Sequence, residues 1–265
     1  MGTLHRGRQS IVFDRRPAIL SAAAIGGKKE REGPLAAYFD ETTADTTFRQ
    51  LSWEKAESKM QALALESAKR KAGLHDADLD ALFSGDLLNQ CISSSFAVRD
   101  TGVPFFGLYG ACSTMAEALI LSGMAVNGGY ARIAAAMSSS HFASAERQYR
   151  FPLGYGGQRT PTAQWTVTGA GCMLLGLRDG GPCLRCATVG TVVDYGIKDA
   201  ANMGAAMAPA AYATLRAHFD DLGRSPEDYD CIVTGDLGAV GKAILLDLFR
   251  RDGVALEAVY DDCGV

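Results

Sequence analysis

The sequence predicts an α/β protein assembled from two related halves. Two observations carry this. Strand-like and helix-like segments alternate along the chain, the pattern of a largely parallel sheet covered by helices. The stretch HDADLDALFSGDL at 75–87 also returns as SPEDYDCIVTGDL at 225–237, a self-similarity at fixed spacing that marks an internal repeat.

The elements follow in chain order. PAILSAAAI at 17–25 reads as a buried strand ending in Gly26 and Gly27. Residues 30–47 are polar and read as loop or short helix. Ser52 is placed to cap a long amphipathic helix with Lys55 at its third position; the helix runs to Ala72 and stops at Gly73, since glycine accepts the left-handed conformation that ends a helix without penalty. A short strand at 79–84 and a helix at 95–101 precede a strand at 103–109, a helix at 113–127 and a buried strand at 131–137. TVTGAGCMLLGL at 166–177 is strand-like, its glycines marking close backbone approach or a bulge.

The repeat extends beyond its core string. Asp80, Gly85, Asp86 and Leu87 match Asp230, Gly235, Asp236 and Leu237. The helix at 53–72 has a counterpart at 209–222, and VPFFGLYGAC at 103–112 lies over VALEAVYDDC at 254–263 with one residue of slippage, which places Cys112 on Cys263. We therefore expect a first half at 1–180 and a second at 181–265. The second is shorter than a full repeat by roughly 65 residues. A shortened half leaves sheet surface to be covered by a partner or borne as a cost in stability.

Composition narrows the functional classes. With 265 residues, 48% of them hydrophobic and 21% charged, the chain can bury a sizeable core. A net charge of −4 and the lack of a Lys/Arg run argue against nucleic acid as the main partner. Seven irregularly spaced cysteines do not form a secretory disulfide framework and suit a reducing compartment. The charged start MGTLHRGRQSIVFDRRP has no apolar core of a signal peptide, and no apolar run approaches the ~18 residues of a membrane span.

Cys112 is the residue on which chemistry would turn. It stands where a strand gives way to a helix, so it is either a nucleophile activated by the helix start or a small residue packed there. Cys183 and Cys186 form a single CxxC pair with no second pair, which argues against a metal site. Asp86 and Asp236 are either carboxylates of a shared site or turn caps beside their glycines. His141, at the end of SSSH after a buried strand, can face a site, whereas His75 and His218 fall in segments read as surface. Met203 and Met207 read as pocket or core wall. The loop at 149–162 holds Arg150, Arg159, two prolines and three glycines, a composition rich enough to suggest function.

These strings support a resemblance. The repeated α/β pattern with ACS at a strand-to-helix turn resembles the thiolase fold of thiolases and β-ketoacyl synthases. LFSGDLLNQCISSSF (82–96), GVPFFGLYGACST (102–114), QYRFPLGYGGQRTPTAQWTVTGAG (148–171), NMGAAMAPAA (202–211) and IVTGDLGAVG (232–241) together resemble the stage V sporulation protein AD (SpoVAD) family over nearly the whole chain. The resemblance implies a duplicated αβαβα fold with an incomplete second half. It also implies dipicolinic acid as ligand, a homodimer, membrane proteins of the same sporulation complex as partners, and a peripheral place at the spore inner membrane; no cofactor or metal is implied.

In condensing enzymes of that fold the cysteine thiolate takes an acyl group, and a histidine with a second group handles the proton and the oxyanion. Cys112 matches the nucleophile, but Thr234, Gly235 and Asp236 stand where the synthases carry a histidine loop. We therefore expect a binding protein whose pocket draws on Cys112, Ser113, His141, Arg150, Arg159, Met203, Met207 and Asp236, with helix N-termini and arginine forks suited to carboxylates. The alternative is a condensing acyltransferase, of synthase or thiolase type, using Cys112 on a thioester.

Overall fold

The computed structural model describes residues 4–149, 166–199 and 201–265. In chain order the strands are β1 (His5–Arg6), β2 (Ser10–Val12), β3 (Ala18–Gly26), β4 (Glu41–Thr42), β5 (Ala81–Gly85), β6 (Phe105–Leu108), β7 (Ile133–Ser140), β8 (Gly169–Gly176), β9 (Cys186–Thr188), β10 (Ile232–Thr234) and β11 (Tyr260–Asp262). The helices are α1 (Lys28–Glu32), α2 (Trp53–Ala72), α3 (Ile92–Val98), α4 (Thr114–Gly128), α5 (Phe142–Tyr149), α6 (Met203–Leu222) and α7 (Gly238–Arg251). The chain divides into two compact units. The larger holds residues 13–149 with Thr166–Arg185, and the smaller holds residues 4–12 with Cys186–Val265.

The larger unit is built on a six-stranded sheet of order β4-β3-β8-β7-β5-β6. The expectation of a largely parallel sheet needs one correction. β5 runs parallel to both β6 and β7, and β3 parallel to β4, but β8 is antiparallel to β7 and to β3. Inserted between two like-directed strands, it is the one reversed strand of the six. Its sequence explains how it fits there. GAGCMLLG opens on four small residues beside the alanines of β3 and β7, and its Cys172 and Leu174 face α2 while Leu175 faces α4, so the two helices pack on opposite faces of the sheet.

Helix α2 forms as its sequence directs. The Ser52 side chain accepts from the Lys55 amide at 3.3 Å, and Gly73 closes the helix in the left-handed region at φ 68°. Its inner face buries Ala56, Met60, Ala64, Leu65 and Ala68 against β3, β7 and β8. That same face carries two buried polar residues, Glu57 and Gln61, and these are satisfied by a network. Gln61 Nε2 donates to the Gly85 carbonyl, to Ser94 Oγ and to Ser139 Oγ at 2.9–3.0 Å, while Ser84 Oγ donates to Gln61 Oε1 at 3.2 Å. Ser139 and Ser144 donate to the two oxygens of Glu57 at 2.9 and 3.0 Å. One helix is thereby tied to β5, α3, β7 and α5.

The smaller unit reproduces the opening of the larger one. α6 is capped by the Asn202 side chain on the Ala205 amide at 3.2 Å and ends at Gly223 with φ 62°. In both units a 3₁₀ turn follows, closed by an aspartate that accepts from a backbone amide three residues earlier: Asp78 from His75 at 2.8 Å and Asp228 from Ser225 at 2.9 Å. A strand comes next in each, β5 and β10, and the correspondence holds at one offset from residue 52 with 202 to residue 86 with 236. α6 is longer than the expected 209–222, because Pro209 lies inside it, buried, and its missing amide does not end the helix. α6 crosses α7 where Gly204 and Gly241 meet backbone to backbone, an approach that a Cβ on either would block. Phe219, Ile232, Leu237, Leu245, Phe249 and Leu256 form the core of this unit. β2 pairs with β1 and β9 in a separate three-stranded ribbon, and β10 pairs in parallel with β11.

Other expectations shift. The helix read at 95–101 begins earlier, at Ile92, because Gln90 and Cys91 take positive φ values of 62° and 51° and launch it. The polar stretch 30–47 contains, besides a short helix, the edge strand β4. His218, read as surface, is half-buried: Nδ1 meets Thr188 Oγ1 at 2.7 Å and Nε2 meets the Tyr229 hydroxyl at 2.6 Å.

Burial, with the charge of Asp86 adding to it, pushes the Glu57 carboxyl up to about 7, against the lowering effect of its serine donors. A raised carboxyl favours the protonated form in the folded state. Its contribution to stability is therefore full below about pH 4.5, declines as pH rises, and is gone above about pH 7, a span worth on the order of 3 kcal/mol. Glu57→Gln keeps the shape and removes the titration. Its melting temperature should gain on the wild type as pH rises from 5 to 8, by roughly 5–10 °C. Melting curves that keep a constant separation across that range would show that Glu57 does not titrate there.

Candidate functional site

The carboxyl ends of β5, β6 and β7 meet at one edge of the six-stranded sheet, the edge at which parallel strands of α/β proteins present their loops to ligands. Asp86 leaves β5, residues 109–113 leave β6, and Ser140 and His141 leave β7. Three of the non-glycine residues with positive φ lie here, Gln90, Cys91 and Ala111. Strained backbone of this kind persists where the surroundings over-determine it, and it gathers at functional sites.

Cys112 sits in a 3₁₀ turn at 111–113 that leads directly into α4, and it is exposed. Ser113 Oγ donates back to the Gly110 carbonyl at 2.8 Å, closing the turn. Gly85 lies so close to the Leu108 carbonyl and to Thr114 that no side chain would fit. The end of β5 is thus pressed against the start of α4, which fixes the cysteine turn relative to the sheet. A Cβ on Gly110 would run into the Glu117 carboxylate and Ser113 Oγ, so an acidic group of the first helical turn stands over this loop.

Asp86 is buried and accepts from the amides of Leu88 and Ser94 and from Ser94 Oγ at 2.6–2.9 Å. It is a turn and helix cap, one of the two roles open to it from sequence. Cys91 Sγ donates to the Leu108 carbonyl at 3.0 Å, and burial, then the nearby Asp86, push its thiol upward, away from a reactive thiolate.

His141 is buried with both ring nitrogens engaged. Nδ1 accepts from the Ala143 amide at 3.2 Å, which assigns the proton to Nε2, 2.7 Å from the Thr46 carbonyl. Burial holds its pKa below the usual histidine value. It fastens the segment after β7 and stays neutral.

The remaining predicted residues fall elsewhere. In the smaller unit, Met203 opens α6 and is exposed, while Met207 packs against the core. Asp236 follows β10 at φ 61°, and burial together with the Asp262 charge pushes its carboxyl up to about 6. Asp262 itself accepts from Thr234 Oγ1 at 2.6 Å and from the amides of Leu237, Gly238 and Gly264 at 2.9 Å, so the start of α7 is held by the chain's own carboxylate. That cap was not found from sequence; an acidic pair just before Cys263 was its only signal. Arg150 and Arg159 lie outside the described residues. Among the described residues no group of three or more potential ligands is placed to hold a metal ion, and no helix is long and apolar enough to cross a membrane.

The architecture is that of the condensing enzymes. Similar solved structures include 3-oxoacyl-(acyl carrier protein) synthase III of Xanthomonas oryzae pv. oryzae (TM-score 0.63, 14% identity, covering 94% of this chain and 85% of that one) and the priming β-ketosynthase of the R1128 polyketide pathway (TM-score 0.55, 17% identity, 98% and 83%). Identity at this level speaks to the fold. Sequence comparison goes further. Stage V sporulation protein AD of Bacillus subtilis (strain 168) is 43% identical over 259 residues, 98% of this chain and 77% of its own length. A sequence model of the stage V sporulation protein AD family matches residues 7–265. On both grounds the chain belongs to the SpoVAD family.

Proposed function

We propose that this SpoVAD-family chain is a non-catalytic binding protein on a condensing-enzyme fold. Its ligand is dipicolinic acid, and it serves the movement of that ligand into the developing spore, peripheral to the spore inner membrane and alongside membrane proteins of the same complex. One observation carries the non-catalytic reading: Cys112 stands exposed at a helix start, yet His141 and His218 spend both ring nitrogens on protein partners, and Asp236 stands where the synthases have a histidine loop. Turnover by a thiol of this fold draws on a general base and on donors to the oxyanion, and among the described residues these two histidines are committed to other partners.

The pocket we assign uses Cys112, Ser113 and the start of α4. A helix N-terminus favours a carboxylate by about 0.3–1 kcal/mol when exposed. An arginine fork, for which the sequence offers Arg150 and Arg159, suits the second carboxylate. Calorimetric titration tests this. Dipicolinate should bind the wild type more tightly than the monocarboxylate picolinate. Cys112→Phe should weaken binding tenfold or more with the fold intact, and Cys112→Ser should change it only a few-fold. Glu117→Gln, which removes a negative charge from the loop, should tighten it about two- to fivefold. Equal binding by Cys112→Phe and wild type would move the pocket elsewhere.

The alternative, an acyltransferase acting through Cys112, is favoured by the fold and by the place of the cysteine. It predicts thiol release from acetyl or malonyl thioesters that Cys112→Ala abolishes. We expect no such turnover.

We also propose a homodimer through β6. This strand ends the sheet, and Ile92, Phe96, Phe106 and Tyr109 expose 44–55% of their surface beside it. Pairing of two β6 strands across a twofold axis would extend the sheet and cover these side chains. Light scattering should report twice the chain mass at micromolar concentration; a stable monomer would refute the interface.

A further inference from the structure

The end of the six-stranded sheet away from Cys112 carries a cavity of about 420 Å³. It lies in the larger unit, where β7 begins, β8 ends and the chain enters β3. The eight residues of β7, roughly 25 Å of strand, separate it from His141, so it is distinct from the pocket assigned to dipicolinate. Arg15, Leu20, Arg132, Ile133 and Leu177 line it, together with the loop that follows α4.

The floor is apolar because the sheet is irregular here. The register of β3 against β8 shifts between Ile19 and Ser21, which makes Leu20 the extra residue of a bulge, a device that re-aims a side chain. Leu20 turns over Gly176: a Cβ on that glycine would lie 2.8 Å from Leu20 Cδ1. Gly176 in turn pairs with Ile133. The missing side chain leaves a hollow beside Leu20 and Ile133, both half-buried, and Leu177 exposes 43% of its surface next to them.

The polar lining is positive. Asp80 grips one edge of the Arg132 guanidinium, accepting from Nε at 3.1 Å and from Nη2 at 2.8 Å, and it accepts from the Arg132 amide at 2.6 Å as well. The clamp fixes the guanidinium plane and leaves Nη1 unengaged among the described residues. Arg15 lies against Gly129, its Nη1 3.5 Å from the Asn127 carbonyl, at the limit of a hydrogen bond. Its neighbour Asp14 is committed elsewhere, accepting from the Arg15 amide and from Asn127 Nδ2 at 2.9 Å. No described carboxylate forms an ion pair with the Arg15 guanidinium. The amides of Gly129, Tyr130 and Ala131 all donate to carbonyls of α4, so the loop has none to spare and the two guanidinium groups are the donors.

We infer that this cavity binds an organic anion with a carboxylate or phosphate head and an apolar body. The head bridges Arg15 and Arg132, whose planar N–H groups match paired oxygens. The body lies on Leu20, Ile133 and Leu177. Two positive charges repel a cation. An anion without a body gives up the apolar contact, which is worth roughly fourfold in affinity per buried methylene.

Calorimetric titration of the full chain with hexanoate, hexyl phosphate, acetate and hexylammonium tests the site. Both hexyl anions should bind one to one, and more weakly as salt is raised. Acetate should bind at least tenfold more weakly than hexanoate, and hexylammonium not at all. Arg15→Gln and Leu177→Glu alter exposed side chains, so the fold should hold while each cuts hexanoate binding about tenfold. Arg132→Lys, which keeps the charge and gives up the planar fork, should weaken hexyl phosphate several-fold. Vesicles distinguish the source of the anion. Sedimentation with phosphatidylglycerol but not phosphatidylcholine, lost in Arg15→Gln, would make the head that of a lipid; binding of the hexyl anions without sedimentation would make it a free small molecule. Failure of both hexyl anions to bind, equal binding of hexylammonium, or binding that neither Arg15→Gln nor Leu177→Glu weakens would overturn the site.

Discussion

The larger unit hangs on one buried side chain. Gln61 reaches from α2 to the last carbonyl of β5, to α3 through Ser94 and to β7 through Ser139, and its own carbonyl is met by Ser84. An amide in an apolar interior costs several kcal/mol if left unpaired, so these elements can only come together in the arrangement that satisfies it. A fully connected network of this kind specifies register where alanines and glycines cannot. The strands here are made of small residues that would slide with little loss of packing. The polar ties fix where β5 and β7 end, and that in turn sets the edge at which Asp86, Cys112 and His141 emerge.

The same region shows how the edge of the sheet is braced. The cysteine turn is positioned firmly, by contact between Gly85 and the start of α4 and by the strained residues at 90, 91 and 111. The groups around it are spent on structure. His141 ties down its own loop and Asp86 caps a helix. In the second repeat Asp262 takes the start of α7. Each is a polar group satisfied by the chain itself, the condition in which buried groups stabilise instead of reacting.

Much of this was legible in the sequence because its signals are local. Ser52, Gly73 and the repeated GDL string are short-range devices, and the helix, its stop and the duplication followed from them. The reversed direction of β8 was not legible, since a run such as GAGCMLLG carries no mark of polarity and its direction is set by partners at positions 18–26 and 133–140. The start of α6 was misjudged because Pro209 usually signals a boundary, and the capping Asn202 lay seven residues upstream. The Glu57–Gln61 network was missed for a different reason. Two polar residues on a helix read as its wet face until the serines of four other elements are brought against them.

The place of β8 has a consequence for how the chain is made. β3 pairs along its whole length with β8, Ala18 against Gly176 and Gly26 against Gly169, so its partner is some 150 residues away. During synthesis at about 5–20 residues per second, β3 leaves the ribosome roughly ten to thirty seconds before β8 exists. For that interval an alanine-rich strand of nine residues has an unsatisfied edge, and only the two residues of β4 lie parallel beside it. α2, β5 and β7 can all assemble in the meantime, leaving a cleft that the last strand enters in the reverse direction. The larger unit is therefore closed late, by insertion, and it depends on its nascent edge staying unpaired until then.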